Sequence, residues 1–180
     1  MKNKFLLKII SGTLKGKGLY SPQDFSVRPT SARVKDSLFN IIRNDLPGAR
    51  FLDLFAGSGQ IGFEAISLGA DVVFCDKDAS LIKKNAQHLG VEATVLQGDF
   101  LNILSTLKNG QNFDFIFADP PYNDALYAAI IKNSLPLLSQ NGVLILEHSS
   151  DYNLPITEKC NIISVRKYGS RSLTFLGGEK

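Results

Sequence analysis

The run Asp119-Pro120-Pro121-Tyr122 carries the groups best suited to chemistry, and it follows an apolar segment, residues 113–118, that is typical of a buried strand. An aspartate at the carboxyl end of a parallel strand lies at the sheet edge where open α/β folds bind ligands. The two prolines favour an extended backbone and leave carbonyl oxygens that no proline N–H can pair with. A carboxylate, a rigid carbonyl and the Tyr122 ring together suit a planar base with an exocyclic amine. The alternative interpretation is that the prolines only end the strand.

Three glycines, Gly57, Gly59 and Gly62, form a G-x-G-x-x-G pattern between a predicted strand and a predicted helix. In this pattern the first two glycines permit a tight turn and the close approach of a ligand, and the third permits close helix–strand packing. Asp76 lies 17 residues beyond Gly59, at the end of the next predicted strand. A carboxylate near this spacing binds ribose hydroxyls. The pattern alone is shared by dinucleotide-binding and many other α/β proteins.

Acidic residues at the same predicted edge distinguish between two cofactors. Asp53 lies shortly before the glycine pattern and Asp119 borders the same crevice, so both would repel a pyrophosphate by roughly a few kcal/mol. S-adenosylmethionine carries a sulfonium and an ammonium and no phosphate, so the acidic edge favours it over NAD. Asp99 is placed to accept a hydrogen bond from an adenine amine while Phe100 covers the ring. We therefore predict S-adenosylmethionine as the cofactor, and a dinucleotide oxidoreductase ranks last.

Strands and helices alternate in the prediction from Phe51 onward. Strands are predicted at 51–55, 72–75, 94–96, 113–118 and 143–146, helices at 60–68, 80–89 and 126–138, and a closing hairpin at 162–168 and 173–176. Repeated βα units imply a largely parallel sheet with helices on both faces. Upstream, residues 6–20 predict a strand hairpin, and an apolar stripe predicts a helix that begins at Ser31.

Basic side chains are concentrated at the N-terminus: the first fifty residues hold ten basic and three acidic side chains, while the whole chain has a formal net charge of +3. A basic arm on an acidic body is typical of proteins that bind polyanions, although such residues can also form an ordinary solvated surface. We expect phosphates to be contacted by Lys8, Lys15, Lys17, Arg28, Arg33 and Lys35.

Other features of the chain narrow its class. Lys8 interrupts the N-terminal apolar run and no small-residue cleavage pattern follows, so no signal peptide is predicted. No segment approaches the ~20 apolar residues of a membrane span. Cys75 and Cys160 are isolated, which predicts neither a disulfide framework nor a metal site. We expect a cytoplasmic monomer that needs no metal.

Taken in order, four motifs resemble those of the class I S-adenosylmethionine-dependent methyltransferases: Phe51–Gly59, Cys75-Asp76, Asp99 and Asp119–Tyr122. Further segments are similar to the bacterial 16S ribosomal RNA guanine-N2 methyltransferase family known as RsmD: Arg28-Pro29-Thr30, Arg33-Val34-Lys35, Leu38-Phe39-Asn40 and Tyr168-Gly169. The resemblance implies a Rossmann-like α/β fold with a seven-stranded, mostly parallel sheet, one antiparallel strand and an N-terminal β-hairpin. It implies a basic hairpin arm and connector over residues 1–29 and a methyltransferase domain over 30–180. Many members have Glu where this chain has Asp76, and both side chains bind ribose.

The same resemblance implies transfer of a methyl group from S-adenosylmethionine to the exocyclic N2 of a guanine in 16S ribosomal RNA, within a small-subunit assembly particle. The cofactor would be bound by Asp53, Gly57, Gly59, Asp76, Asp99 and Phe100. The catalytic set would be Asp119, Pro120, Pro121 and Tyr122, in which the Asp119 carboxylate and the Pro120 carbonyl accept the amine hydrogens and Tyr122 stacks on the base.

Two other interpretations of the same motifs stay open. A DNA adenine-N6 methyltransferase would also present an exocyclic amine to them, although 180 residues leave little room for a separate target-recognition domain. A non-catalytic RNA-binding module on a methyltransferase fold is the second, and the intact Asp119–Tyr122 run argues against it. Glu147 and His148 end the fifth predicted strand near the crevice, and the sequence assigns them no role.

Overall fold

Strands and helices alternate along a computed structural model of the chain that describes residues 7–21, 32–107, 112–121 and 124–178. Within these residues the strands are β1 (Leu7–Lys8), β2 (Gly18–Leu19), β3 (Arg50–Leu54), β4 (Asp71–Asp76), β5 (Thr94–Gln97), β6 (Phe113–Ala118), β7 (Leu138–Ser149), β8 (Cys160–Tyr168) and β9 (Arg171–Gly178). The α-helices are α1 (Ala32–Ile42), α2 (Gln60–Ser67), α3 (Ser80–Leu89), α4 (Phe100–Leu107) and α5 (Asp124–Ser134), and a 3₁₀ turn covers Leu135–Leu137.

The described strands form a seven-stranded sheet in the order β5-β4-β3-β6-β7-β9-β8, and β1 pairs with β2 in a separate antiparallel hairpin. Pairing is parallel from β5 to β7, whereas β9 runs antiparallel to both of its neighbours. This arrangement confirms the predicted fold. The strand order reverses at β3, so the ligand crevice of an open α/β sheet is expected at the carboxyl ends of β3 and β6.

Each face of the sheet is covered by its own apolar cluster. Successive side chains of a strand point to opposite faces, and on β3 Phe51 packs with α1, α2 and α3 while Leu52 and Leu54 pack with α4 and α5. This alternation also sets the direction of Asp53, which lies on the same face as Phe51, toward α2. None of the described helices is long and apolar enough to span a bilayer.

The N-terminal hairpin packs onto the α1–α3 face of the sheet. Ile9, Leu14 and Leu19 are buried in the same cluster as Phe51. The backbone amides of Ile10 and Ser11 donate to the buried Glu64 carboxylate of α2. The division proposed between residues 29 and 30 stays a prediction, because the connector at 22–31 lies outside the described residues.

Helices α5 and α4 differ from what the sequence predicted. Helix α5 ends at Ser134 and a 3₁₀ turn containing Pro136 follows, because a proline in the helix interior removes a backbone hydrogen bond. Helix α4 was not predicted. Its signals are an Asp99 cap, in which the side chain accepts from the Leu101 amide over 3.0 Å, and the buried Ile103, Leu104 and Leu107 on one side.

Candidate active site

Carboxylates line the edge of the sheet where the parallel strands end. Asp53 lies on β3, Asp76 ends β4, Asp99 follows β5, Asp119 follows β6, and Glu147 lies near the end of β7. Because parallel strands place their carboxyl ends together, the sheet assembles these groups from distant parts of the sequence. The carboxylates predicted to form an acidic crevice therefore lie at the same edge of the sheet.

Asp53 is almost completely buried, with 1% of its surface exposed. Its Oδ2 accepts a hydrogen bond of 2.9 Å from the Gly62 amide in the first turn of α2. Burial raises the pKa of Asp53 to about 8, and the nearby charges of Asp76 and Asp119 raise it further against the opposing effect of the Gly62 bond. A cation in the crevice would relieve this penalty, whereas a phosphate would increase it.

The glycine turn between β3 and α2 has a left-handed backbone at three points. Phe55 has φ 61°, Gly57 φ 57° and Gly59 φ 79°. A Cβ on Gly57 would meet no atom within 4 Å, so open space adjoins this glycine among the described residues. A Cβ on Gly59 would lie 2.5 Å from the Phe63 ring, and one on Gly62 would lie 2.2 Å from the Phe74 ring. The expected packing role of Gly62 is thus present, and Gly59 carries the same constraint.

Asp76 ties the glycine turn to the end of β4. Its Oδ2 accepts from the Gly57 amide over 2.7 Å, and its Oδ1 accepts from the Asp78 amide over 3.0 Å. Asp76 is half-buried, so its carboxylate borders the crevice while it braces the turn. Its contact with a ribose stays a prediction.

Phe55 and Phe100 form an aromatic pair beside the turn, with ring centroids 5.1 Å apart. Phe100 begins α4 and is buried in the apolar cluster, whereas Phe55 is half-buried. The Phe100 ring was expected to cover an adenine, but the less buried ring is that of Phe55. Sequence reasoning missed Phe55, because only the observed left-handed φ at this position separates it from an ordinary strand residue.

Asp119 meets an arginine that the sequence did not single out. Nη1 of Arg171, the first residue of β9, lies 3.5 Å from Asp119 Oδ1 and 2.7 Å from Glu147 Oε1. Burial raises the pKa of Glu147 to about 7 and the Asp119 charge adds to this effect, while Arg171 opposes it. Pro120 is buried and Pro121 is exposed. Tyr122 lies outside the described residues.

His148, next to Glu147 on β7, has a structural role. Its Nε2 lies 2.7 Å from Thr174 Oγ1 and its Nδ1 lies 2.7 Å from the Ser149 carbonyl oxygen. Burial lowers the pKa of His148. Both ring nitrogens therefore have partners on the sheet, which explains why this histidine is buried near the crevice.

Asn85 of α3 joins the hairpin to the glycine turn. Its Nδ2 donates to the Tyr20 carbonyl over 3.0 Å and to the Ser58 carbonyl over 2.8 Å, and its Oδ1 accepts from the Tyr20 amide over 2.8 Å. Asn85 is fully buried. The end of the basic hairpin and the turn beside the crevice thus share one side chain, which the sequence did not indicate.

The residues expected to contact phosphates fall into three groups. Lys8, Lys15, Lys17 and Arg33 are exposed, and the Lys17 ammonium donates to the Leu89 carbonyl at the end of α3. Arg28 lies outside the described residues. The prediction that Lys35 contacts a phosphate is wrong.

Lys35 is buried because its ammonium has internal partners. It lies 3.1 Å from Glu64 Oε2, with side-chain exposures of 3% and 0%, and donates to the Lys8 carbonyl over 2.8 Å. The sequence placed Lys35 on the basic helix surface because a partner 29 positions away cannot be recognised from local charge. The described residues contain no cluster of three or more His, Cys, Asp or Glu side chains placed to hold a metal ion.

The strand order, the glycine turn and the acidic crevice together define the class I methyltransferase fold. The family described as Conserved hypothetical protein 95 matches residues 7–177. The chain is 33% identical over 172 residues to ribosomal RNA small subunit methyltransferase D of Haemophilus influenzae, covering 91% of this chain and 89% of that protein. The chain belongs to this family of methyltransferases.

Other similarities support the same placement. The protein of the same name from Escherichia coli K12 is 34% identical over 143 residues, covering 77% of this chain and 69% of that protein. The solved structure of a hypothetical protein from Thermus thermophilus superposes with a TM-score of 0.84 at 33% identity, covering 96% of this chain and 99% of the other. The family match over residues 7–177 includes both the hairpin and the main sheet.

Proposed function

We propose that this protein transfers a methyl group from S-adenosylmethionine to the exocyclic N2 of a guanine in 16S ribosomal RNA. The observation that carries the proposal is the desolvated Asp53 carboxylate beside the glycine turn, with Asp76 and Asp119 close enough to raise its pKa. A site in which burial and neighbouring carboxylates disfavour negative charge favours a cationic ligand. The relatives named ribosomal RNA small subunit methyltransferase D support an RNA substrate.

The cofactor-binding residues fit a sulfonium ligand without phosphates. We assign the methionine part to the Gly57 and Gly59 backbone with Asp53 near the ammonium, the ribose to Asp76, and the adenine to Asp99 and the Phe100 backbone. When bound, the cofactor supplies an electrophilic methyl group. Asp53 is already buried and hydrogen-bonded to Gly62, so its position is set during folding, and a bound cation then favours ionisation of its carboxyl group.

The target amine is assigned to Asp119 and the Pro120 carbonyl. The N2 of guanine is a poor nucleophile because its lone pair is delocalised into the ring. Two acceptors that hold both amine hydrogens fix the nitrogen so that its lone pair faces the methyl donor, and near-attack positioning of this kind contributes several kcal/mol to the lowering of a barrier. Positive charge develops on nitrogen during transfer, and the Asp119 carboxylate stabilises it.

Tyr122 is assigned to stack on the target base after it leaves the RNA stack. Base–aromatic stacking offsets part of the unstacking cost by ~1–3 kcal/mol. Pro121 keeps the segment between Asp119 and Tyr122 extended. The proton leaves the methylated nitrogen toward water, because the amine becomes acidic once it carries the methyl group.

RNA phosphates are assigned to the exposed Lys8, Lys15, Lys17 and Arg33, together with Arg28. Phosphate contacts set the register of a complex without reading its sequence. We infer that a monomer acts in the cytoplasm on RNA within a small-subunit assembly particle. The basic hairpin is joined to the glycine turn through Asn85, so RNA and cofactor would bind to one connected unit.

Labelled methyl transfer tests the proposal. The wild-type protein should methylate 16S RNA or small-subunit particles, with N2-methylguanine found by mass spectrometry of the digested RNA. Asp119→Ala should reduce kcat at least a hundredfold while calorimetric binding of S-adenosylmethionine changes little. Methyl groups on adenine in DNA would favour the DNA enzyme. An absence of cofactor binding would favour the non-catalytic module.

A further inference from the structure

Arg171 lies where β7 and β9 reach the acidic crevice. Ser149 at the end of β7 pairs with Arg171 at the start of β9. Glu147 lies two residues before Ser149, on the same face of β7. Through this register one guanidinium nitrogen, Nη1, reaches Glu147 Oε1 at 2.7 Å and Asp119 Oδ1 at 3.5 Å.

Burial makes Glu147 the fixed member of this group. Its side chain is 0% exposed, against 16% for Arg171 and 23% for Asp119. Glu147 Oε2 has no hydrogen-bond partner among the described residues. Separating Arg171 from Glu147 would leave a buried carboxylate uncompensated, so the shorter contact holds the guanidinium in place. Asp119 then meets a cation whose position is already set.

The contact with Arg171 orients the Asp119 carboxylate and leaves it ionised. A guanidinium near a carboxylate favours its ionised form, which accepts hydrogen bonds only. We propose that Arg171, anchored by the buried Glu147, is a positioning residue that orients the ionised Asp119 carboxylate toward the target amine. This inference rests on the proposed function, in which Asp119 accepts hydrogens from that amine.

The net charge of Asp119, Glu147 and Arg171 taken together then depends on whether Glu147 is protonated. Its surroundings are Asp119 after β6, Arg171 on β9 and Tyr127 of α5, whose hydroxyl donates to the Glu147 backbone carbonyl over 3.5 Å, while His148 bonds to Thr174. The pKa of Glu147 is raised to about 7, first by burial and then by Asp119. When Glu147 is protonated, Arg171 interacts more strongly with Asp119 and reduces the negative potential at the amine. The kcat for methyl transfer should therefore rise with pH through about 7.

Three variants separate positioning from structural support. Arg171→Gln should lower kcat about tenfold or more, with the KM values for RNA and S-adenosylmethionine within about threefold of the wild type. Arg171→Lys keeps the charge and should recover part of kcat. Glu147→Gln imitates the protonated acid and should remove the rise of kcat near pH 7. Arg166→Gln removes one exposed arginine from β8 and is the charge-matched control that should behave as wild type.

A carboxylate titration followed by ¹³C NMR needs no RNA and gives an independent readout. The wild type should show Glu147 titrating near pH 7, and Arg171→Gln should move this titration to higher pH because a cation is lost. If wild-type protein fails to methylate guanine, the proposed function is wrong, and the titration still decides whether Arg171 couples the two carboxylates. Should Arg171→Gln not fold, Arg171→Lys and Glu147→Gln give the same comparison. An unchanged kcat and Glu147 titration in Arg171→Gln, or an unchanged pH profile of kcat in Glu147→Gln, would overturn the inference.

Discussion

The Lys35 ammonium lies 3.1 Å from Glu64 Oε2 with both side chains buried, and it joins α1, α2 and the N-terminal hairpin. Glu64 also accepts from the backbone amides of Ile10 and Ser11. A buried charge that keeps all its partners is tolerated, whereas removing one partner leaves an uncompensated ion. The hairpin is therefore attached to the sheet by a polar contact as well as by its apolar side chains.

Lys35→Met should lower the free energy of unfolding by ~3–5 kcal/mol, because it leaves the Glu64 carboxylate buried without its cation. Urea denaturation followed by circular dichroism measures the change. The double variant Lys35→Met with Glu64→Gln should recover part of the loss, since the neutral amide still accepts from Ser11. Lys15→Met is the exposed control and should change stability by no more than about 0.5 kcal/mol. A loss below about 1 kcal/mol for Lys35→Met would contradict the burial of this pair.

The sequence predicted the sheet well because its signals are local. Apolar runs mark β3 and β6, glycines mark the turn after β3, and Asp119 follows directly from the strand that it ends. The positions of Lys35 and Arg171 were not predictable in this way. Lys35 depends on Glu64 in a different helix, and Arg171 depends on the register of β7 with β9. Each is fixed by tertiary packing and not by neighbouring residues.

Asp53→Asn should stabilise the cofactor-free protein, and more so as the pH rises. The pKa of Asp53 is raised from near 4 to about 8, so in that window the unfolded chain has lost a proton that the folded protein retains. The wild type should therefore lose on the order of a few kcal/mol of stability between pH 4 and 8 through this group. Chemical denaturation across that range should show a flatter profile for Asp53→Asn. Asp71→Asn, at an exposed position on β4, should leave the slope unchanged.

The same Asp53→Asn variant should bind S-adenosylmethionine more weakly, because a bound cation favours ionisation of Asp53, whereas an amide cannot ionise. Its hydrogen bond from Gly62 can be kept by the amide oxygen, so the turn should stay in place. Isothermal calorimetry should show a Kd raised about tenfold or more. Equal affinity in both proteins would place the ammonium away from Asp53.

Gly62→Ala should destabilise the junction of α2 with β4 by ~1–3 kcal/mol, because the new Cβ would lie 2.2 Å from the buried Phe74 ring. Thermal unfolding measures the loss. In a Phe74→Leu background the same substitution should cost less, since the ring that it meets is gone. Gly178→Ala, where a Cβ meets no atom within 4 Å, is the control. Equal costs in both backgrounds would show that helix–strand packing does not require this glycine.

Replacing Lys15 and Arg33 by Gln should flatten the salt dependence of RNA binding. Each phosphate contact contributes roughly 0.7–0.9 to the slope of log K against log salt, so losing both should reduce its magnitude by about 1.5. Filter binding or fluorescence anisotropy over a series of salt concentrations measures the slope.

Gln at Lys132 and Lys159, two exposed lysines outside the hairpin and α1, removes the same charge and should change the slope less. Lys35→Met, studied where it is folded, should keep the wild-type slope because its ammonium is buried against Glu64. If Lys35→Met flattens the slope while the Lys15 and Arg33 variant leaves it unchanged, the RNA binds to a different surface.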